Sequence, residues 1–349
     1  MQLDLLGDAN NLPLFQPEIL GNITYLGRHL KLYVMISPLK SIVSFCCAFL
    51  FFFSGSLLAQ KSSPLEGRWD LEMEFMGKTV PSWLEIRHSG HATLTGRFVF
   101  AFGSARPIAE IKTSEENKFN FSIPRQWEPE GGDMIFNGEL VGNEVKGTMI
   151  YTDGSEVQWK GSRAPKLEYA ENPSWGEPIA LFNGKDLSGW HMEGDKKQWV
   201  IKDGILTSPE SGSNLISDQK FEDFKLHVEF RFPEHSNSGI YLRGRYEVQI
   251  ADNVGLDPMD IYLGGVYGFL EPNENAAKAA GEWQTYDITL IGRRVTIVAN
   301  GRTVINDQTI PGITGGALDS KEGEPGPFMI QGDHGPIEYR SFVVTPTMY

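Results

Sequence analysis

Cysteine is nearly absent from these 349 residues: the two present, Cys46 and Cys47, are adjacent. That excludes a disulfide framework and a four-cysteine zinc site. Basic side chains are in deficit, 31 Lys and Arg against 45 Asp and Glu, a net charge of −14. Such a surface repels phosphate backbones, so nucleic acid is not an expected partner. There is no GxxxxGK[ST] phosphate loop and no HExxH zinc helix. Long helical stripes are missing too; only Asn275–Ala280, ended by Gly281, suggests a helical turn. Present instead are 38 Gly and 20 Pro, a composition of turns between strands.

One long apolar run occurs, Ile42 to Ala59, preceded by Lys40 and ending Leu57-Leu58-Ala59 before Gln60. This order reads as the basic, apolar and cleavage regions of a signal peptide. At 18 residues, interrupted by Ser44, Ser54, Gly55 and Ser56, the run is marginal as a membrane span. Cleavage is therefore expected, leaving no stable membrane span. Met35 is the better start, which makes 35–59 the signal peptide and 1–34 a mis-assigned upstream stretch with no fold. Phe45 stands where a lipoprotein would need a small residue. The mature chain would carry no cysteine, which suits a periplasmic or secreted protein.

Residues 65–162 read as a small all-β, barrel-like domain. Arg68 to Phe75 alternates polar and apolar, and short strands follow near 83–88, 93–102, 118–123, 133–137, 144–151 and 155–160. Their even spacing suggests a closed meander, with Trp69, Trp83, Trp127 and Trp159 as core residues. One or two of these could instead stack on sugars. Residues 163–178, with Pro165, Pro173 and Pro178, read as a linker. Residues 179–347 again read as strands, and the Asn300-Gly301 pair marks a tight hairpin. That much antiparallel strand predicts a two-sheet jelly-roll sandwich.

The chemistry concentrates in SNSGIYLRGRYEVQIAD, 236–252. As one continuous strand it puts Ile240, Leu242, Gly244, Tyr246, Val248 and Ile250 on a core face. Tyr241, Arg243, Arg245, Glu247 and Gln249 then share the other face, suited to binding sugar hydroxyls. Glu247 is the candidate acid or base, and beside arginines it should stay ionised. Asp252 could add a second carboxylate, as in glycosidases. It could also join Asp257 or Asp260 around a divalent cation such as calcium. His334, flanked by Gly332-Asp333 and Gly335, could transfer a proton or hold a metal. Tyr267 and Trp283 offer stacking faces, and Lys278 could meet an oxyanion.

Several separate motifs carry a family resemblance: Leu181-Phe182-Asn183-Gly184-Lys185-Asp186-Leu187-Ser188-Gly189-Trp190, SNSGIYLRGRYEVQI, Gly265-Val266-Tyr267-Gly268, GEWQTYDI at 281–288, and Gly332-Asp333-His334-Gly335. With these, residues 176–347 resemble the 3-keto-disaccharide hydrolase family. The resemblance implies a concanavalin-like jelly roll and cleavage of glycosides oxidised to a ketone at C3. A C3 carbonyl acidifies the C2 hydrogen; a base removes it and the C1 substituent is expelled. Water then adds back, or the unsaturated sugar leaves as a lyase product. Glu247 is assigned as base or metal ligand, Arg243 and Lys278 as oxyanion stabilisers, and His334 with Asp333 as the acid for the leaving group. Tyr241, Arg245, Gln249, Tyr267, Trp283 and Gln331 are assigned to substrate binding. One departure stands out. Members read Gln-Asp-His-Gly where this chain has Gln331-Gly332-Asp333-His334-Gly335, a change expected to shift Gln331 relative to His334.

The reading is an exported enzyme acting on a small carbohydrate. Two alternatives remain at this level. A conventional glycoside hydrolase would want a carboxylate cluster such as ExDxE, where this chain has Glu247 and Gln249. A non-catalytic carbohydrate-binding module would bind sugar without turnover.

Overall fold

The computed structural model describes residues 62–348 except 116, 127, 129 and 168–172. The expected signal peptide and the expectation for Trp127 lie outside the described residues. Every named element is a strand, and every pairing between strands is antiparallel. The chain forms a closed barrel followed by a two-sheet sandwich.

The barrel has eight strands in sequence order, Gly67–Phe75 through Glu156–Arg163, closed by pairing of the first with the last. Alternation explains its interior: Trp69, Leu71 and Met73 of the first strand point inward, with Phe98, Phe119, Phe136 and Trp159 opposite. One strand, Arg106–Ser114, escaped the sequence reading. Its apolar residues Ile108 and Ile111 are three apart because the pairing with Thr93–Val99 slips between Leu94 and Gly96. A bulge of this kind breaks the period of two on which strand recognition depends.

The sandwich stacks a larger sheet on a smaller one. The main path of the larger sheet runs Val200–Lys202, Ile205–Ser208, Ile337–Met348, Phe224–Arg231, Gln284–Ile291, Arg294–Ala299, Arg302–Thr309. The smaller runs Trp190–Glu193, Asn214–Phe221, Gly326–Ile330, Asn237–Leu242, Tyr246–Ala251. Leu226, Val228 and Phe230 alternate inward against Ile240, Val248, Ile250 and Phe328. Asn300 and Gly301 both take positive φ and join Arg294–Ala299 to Arg302–Thr309, as an Asn-Gly hairpin requires. Residues 275–280 form no helical turn. The buried Gln284 side chain accepts from Lys278 N and donates to Lys278 O, so it takes the backbone groups a helical turn would use.

The barrel and the sandwich share core. Trp83 sits on a barrel strand but turns outward, into the sandwich core, edge-on to Phe269 at 5.4 Å. It is not a barrel-core residue as its sequence position suggested. Arg68 donates to Pro311 O at 3.0 Å, Gly316 N donates to Ala101 O at 2.8 Å, and Ser320 donates to Leu71 O. Within 163–178, read as a linker, Ser174–Trp175 pairs with Thr347 and Met348. The Lys225 ammonium sits 4.5 Å over the Trp175 ring.

Candidate active site

The motif 236–252 is a hairpin rather than one strand. Asn237–Leu242 pairs with Tyr246–Ala251, so Tyr241 lies opposite Glu247 and Gly239 opposite Gln249. Arg243 and Gly244 both have positive φ, and Arg245 N donates back to Leu242 O at 3.1 Å. Two consecutive left-handed residues make a tight reversal that continuous alternation cannot anticipate. The face expected to carry both arginines therefore does not exist.

Both arginines are buried at the hairpin tip and serve the fold. Arg243 donates to Gly292 O at 2.5 Å and to Tyr246 Oη at 3.2 Å. Arg245 binds Asp319 Oδ1 at 2.6 Å and Glu324 O at 2.7 Å. Lys278 is also elsewhere, its Nζ donating to Trp283 O at 3.0 Å. The Trp283 ring is engaged by the guanidinium groups of Arg231 and Arg340, whose Cζ atoms lie 4.8 and 4.4 Å from its centroid. Asp252 Oδ2 accepts from His235 N at 2.9 Å. Among the described residues no group of three or more His, Cys, Asp or Glu converges on a point that could hold a metal.

The remaining candidates do converge. Tyr241, Glu247, Gln249, Tyr267, Gln331, Asp333 and His334 line one cavity of about 150 Å³, together with Asn214, Asn237 and Met329. At ~30 Å³ per water that is room for about five waters, or one small ring. Glu247 is its deepest charged group, with 3 % of its surface exposed. Its strand position is fixed by Thr314 Oγ1, which accepts from Glu247 N at 3.0 Å, and by Tyr267 N, which donates to Glu247 O at 3.0 Å. The carboxyl lies across Gly239, where a Cβ would come within 2.3 Å of Oε1.

Burial, with no arginine beside it, pushes the Glu247 carboxyl up to about 8. The Tyr241 hydroxyl and His334 pull it down, and Asp333 pushes it up further. The expected ionised carboxylate is thus corrected to a group that holds its proton near neutrality. Tyr241 Oη lies 2.8 Å from Glu247 Oε2 and 2.9 Å from Gly315 O. It has one proton for two acceptors. A protonated Glu247 resolves the conflict by donating to Tyr241, which then donates to Gly315 O. Burial and the Glu247 charge push the Tyr241 phenol well above its ordinary value, so it stays neutral.

His334 is half-exposed at the rim, its Nδ1 2.6 Å from Asp333 Oδ1. That hydrogen bond, more than the nearby charges, raises its affinity for a proton. It also holds the ring so that Nε2 is the free nitrogen. Asp333 is in turn held by its backbone, since Ser211 donates to Asp333 O. Gln331 N donates to Gly239 O at 2.9 Å, and Gln331 and His334 line the same cavity with Gly332 between them in the chain. The side-chain oxygens of Asn237 and Gln331 are buried without a partner. An unmet buried acceptor costs about 1–3 kcal/mol, which a hydroxylated ligand would recover.

Sequence reasoning missed seven wall positions: Phe102, Gly103, Asn214, Asn237, Gly315, Gly316 and Met329. Asn237 stood inside the quoted motif, and orphaned polarity is not visible in sequence. Phe102 and Gly103 belong to the barrel, about 140 residues from Glu247. Nothing local could have signalled their approach.

Residues 177–345 match the family described as 3-keto-alpha-glucoside-1,2-lyase-like domain. The 3-keto-disaccharide hydrolase of Bacteroides thetaiotaomicron is 32 % identical over 98 residues, which are 24 % of this chain and 33 % of that protein. The chain thus spans a third of the length of that curated relative. A candidate glycosyl hydrolase from Parabacteroides distasonis is 29 % identical, with TM-score 0.40 over 51 % of this chain and 94 % of that one. A non-specific endo-beta-1,3(4)-glucanase of family GH16 is 8 % identical, with TM-score 0.35 over 53 % of this chain and 95 % of that one. The sandwich, residues 177–345, belongs to the 3-keto-alpha-glucoside-1,2-lyase-like domain family.

Proposed function

We propose that this protein is an exported enzyme that cleaves glycosides bearing a ketone at C3. The observation that carries the reading is Glu247: a single buried carboxyl poised near 8 at the floor of a one-ring cavity, with His334 at the rim. Each group biases the other's proton. The Glu247 carboxylate takes the C2 proton. The C2–H pair moves into the C2–C3 bond and the carbonyl pair onto O3, giving an enediolate. The C1–O bond then breaks as the enediolate collapses to an unsaturated ketone. The leaving oxygen receives the proton of His334, whose cation Asp333 supports. Addition of water across the new double bond completes a hydrolysis; release without it is a lyase outcome.

No lysine or arginine lines this cavity among the described residues. The enediolate would therefore take hydrogen bonds from the side-chain amides of Asn237 and Gln331 rather than from Arg243 or Lys278. Such donors serve best when fixed in place before charge develops. A conventional glycosidase needs two carboxyls flanking the bond. Here the second carboxyl, Asp333, is exposed and already engaged by His334.

The test uses wild type and Glu247→Gln with a 3-keto-glucoside and its unoxidised parent, with and without chelator. Release of the leaving group from the keto form alone, lost in the variant, is expected. Cleavage of the parent would instead make this an ordinary glycosidase. Binding without turnover of either would make it a binding module, and chelator sensitivity would add a divalent metal to the reaction.

A further inference from the structure

The barrel has no part in the chemistry described so far, yet it reaches the cavity. The connection between its strands Thr93–Val99 and Arg106–Ser114 places Phe102 and Gly103 in the cavity wall. This connection is clamped rather than loose. Gly316 N donates to Ala101 O at 2.8 Å. Gly315 packs so closely on the connection that a Cβ there would come within 2.3 Å of Gly103 O. Gly315 O is also the acceptor 2.9 Å from Tyr241 Oη, so the wall runs unbroken from the Glu247 network to the barrel.

Phe102 is 44 % exposed. Its ring is backed by Phe100 at 5.5 Å and Phe75 at 6.3 Å between centroids. A rigid aromatic surface beside a polar pocket suits the C–H face of a sugar ring, which is apolar while its edges are hydroxylated. Its place in the reaction follows from the cavity. The inner space takes one ring, with C2 at Glu247 on the floor. His334, which protonates the leaving oxygen, is half-exposed at the rim. The leaving group therefore lies at the rim, where Phe102 is.

We propose that the barrel supplies the leaving-group subsite, and that Phe102 packs against the second sugar ring of a disaccharide substrate. The inference rests on the proposed reaction for the direction of the leaving group. Phe102 touches substrate but no reacting bond, so it sets specificity rather than rate of chemistry.

Two measurements separate the inference from the reaction. The first is the ratio of kcat/KM for a 3-keto-glucosyl disaccharide to that for methyl 3-keto-glucoside. Covering the exposed part of one Phe ring is worth about tenfold, so Phe102→Ala should lower the ratio about tenfold. Phe102→Tyr should largely preserve it. The second is the ratio of affinities for the same two ligands in a Glu247→Gln background, where chemistry is blocked; the same loss is expected. Thermal unfolding of each variant checks folding. Turnover with a ratio that Phe102→Ala leaves intact overturns the subsite and spares the reaction. Absence of turnover, with a disaccharide preference in binding that Phe102→Ala removes, overturns the reaction and keeps the subsite. No turnover and no disaccharide preference overturns both.

Discussion

Replacing Glu247 by glutamine should inactivate the protein and make it more stable. An ordinary glutamate ionises near 4.5, and burial raises Glu247 to about 8. The folded state then holds this proton more tightly than the unfolded chain does. Stability is therefore lost as pH rises from 4.5, and the loss is complete above about 8. At ~1.4 kcal/mol per pH unit the full penalty is ~5 kcal/mol, of which ~3 kcal/mol is already present at pH 7. Glutamine cannot ionise, and its amide N–H can donate to Tyr241 as the protonated Glu247 does. The variant should match wild type to within ~1 kcal/mol at pH 5 and exceed it by ~4 kcal/mol at pH 8. Urea unfolding at pH 5, 6.5 and 8, followed by far-UV circular dichroism, measures the difference; every other titrating group is common to both proteins. A stability difference that stays constant from pH 5 to pH 8 would show that Glu247 ionises normally and refute the reasoning. Turnover of a 3-keto-glycoside by the same variant should fall by ~10²–10⁴, the typical share of one general base.

Activity should follow a bell-shaped pH profile, since the reaction needs Glu247 without its proton and His334 with one; the two limbs belong to the coupled pair. Asp333→Asn should move the whole profile to lower pH, because Asp333 raises the proton affinity of both His334 and Glu247; an unmoved profile would remove Asp333 and its partner His334 from the reaction. Gly239→Ala should fold but lose activity by ~10² or more, its methyl displacing the Glu247 carboxyl by about an ångström; steady-state kinetics beside a thermal melt would reveal either wild-type turnover or simple unfolding, both contrary to expectation. Trp83→Ala should cost ~3–5 kcal/mol in urea and loosen the barrel from the sandwich, because a fully buried ring leaves the shared core; a change below ~1 kcal/mol would mean the two parts do not support each other. Asp70 and Glu322 are buried together, and burial followed by their mutual repulsion raises Asp70. Glu322→Gln should therefore flatten the loss of stability from pH 5 to 9, and an unaltered slope by urea titration would contradict a shared proton.

The sequence alone was enough for what is periodic or local. Strand alternation exposed an all-β chain, Asn300-Gly301 announced its hairpin, and the spacing of turns suggested a barrel followed by a sandwich. Residue types also singled out Glu247, because two arginines, a tyrosine and a glutamine beside one carboxylate cost side-chain entropy for little gain on an open surface, and His334 with Asp333, because the flanking glycines permit close backbone approach. Tertiary structure decided everything that depends on where the chain reverses and what packs against it. The reversal at Arg243-Gly244 turned one presumed polar face into two facing strands and sent both arginines into structural roles. Removing those cations from Glu247 inverted its expected charge state, since burial with no compensating cation favours the neutral acid. Trp83 looked like any barrel tryptophan, and only its outward direction shows that barrel and sandwich share a core. The same contact brings Phe102 to the cavity. Alternation says which residues share a face, but the partner of that face is set by packing between distant segments, and a local pattern carries no record of it.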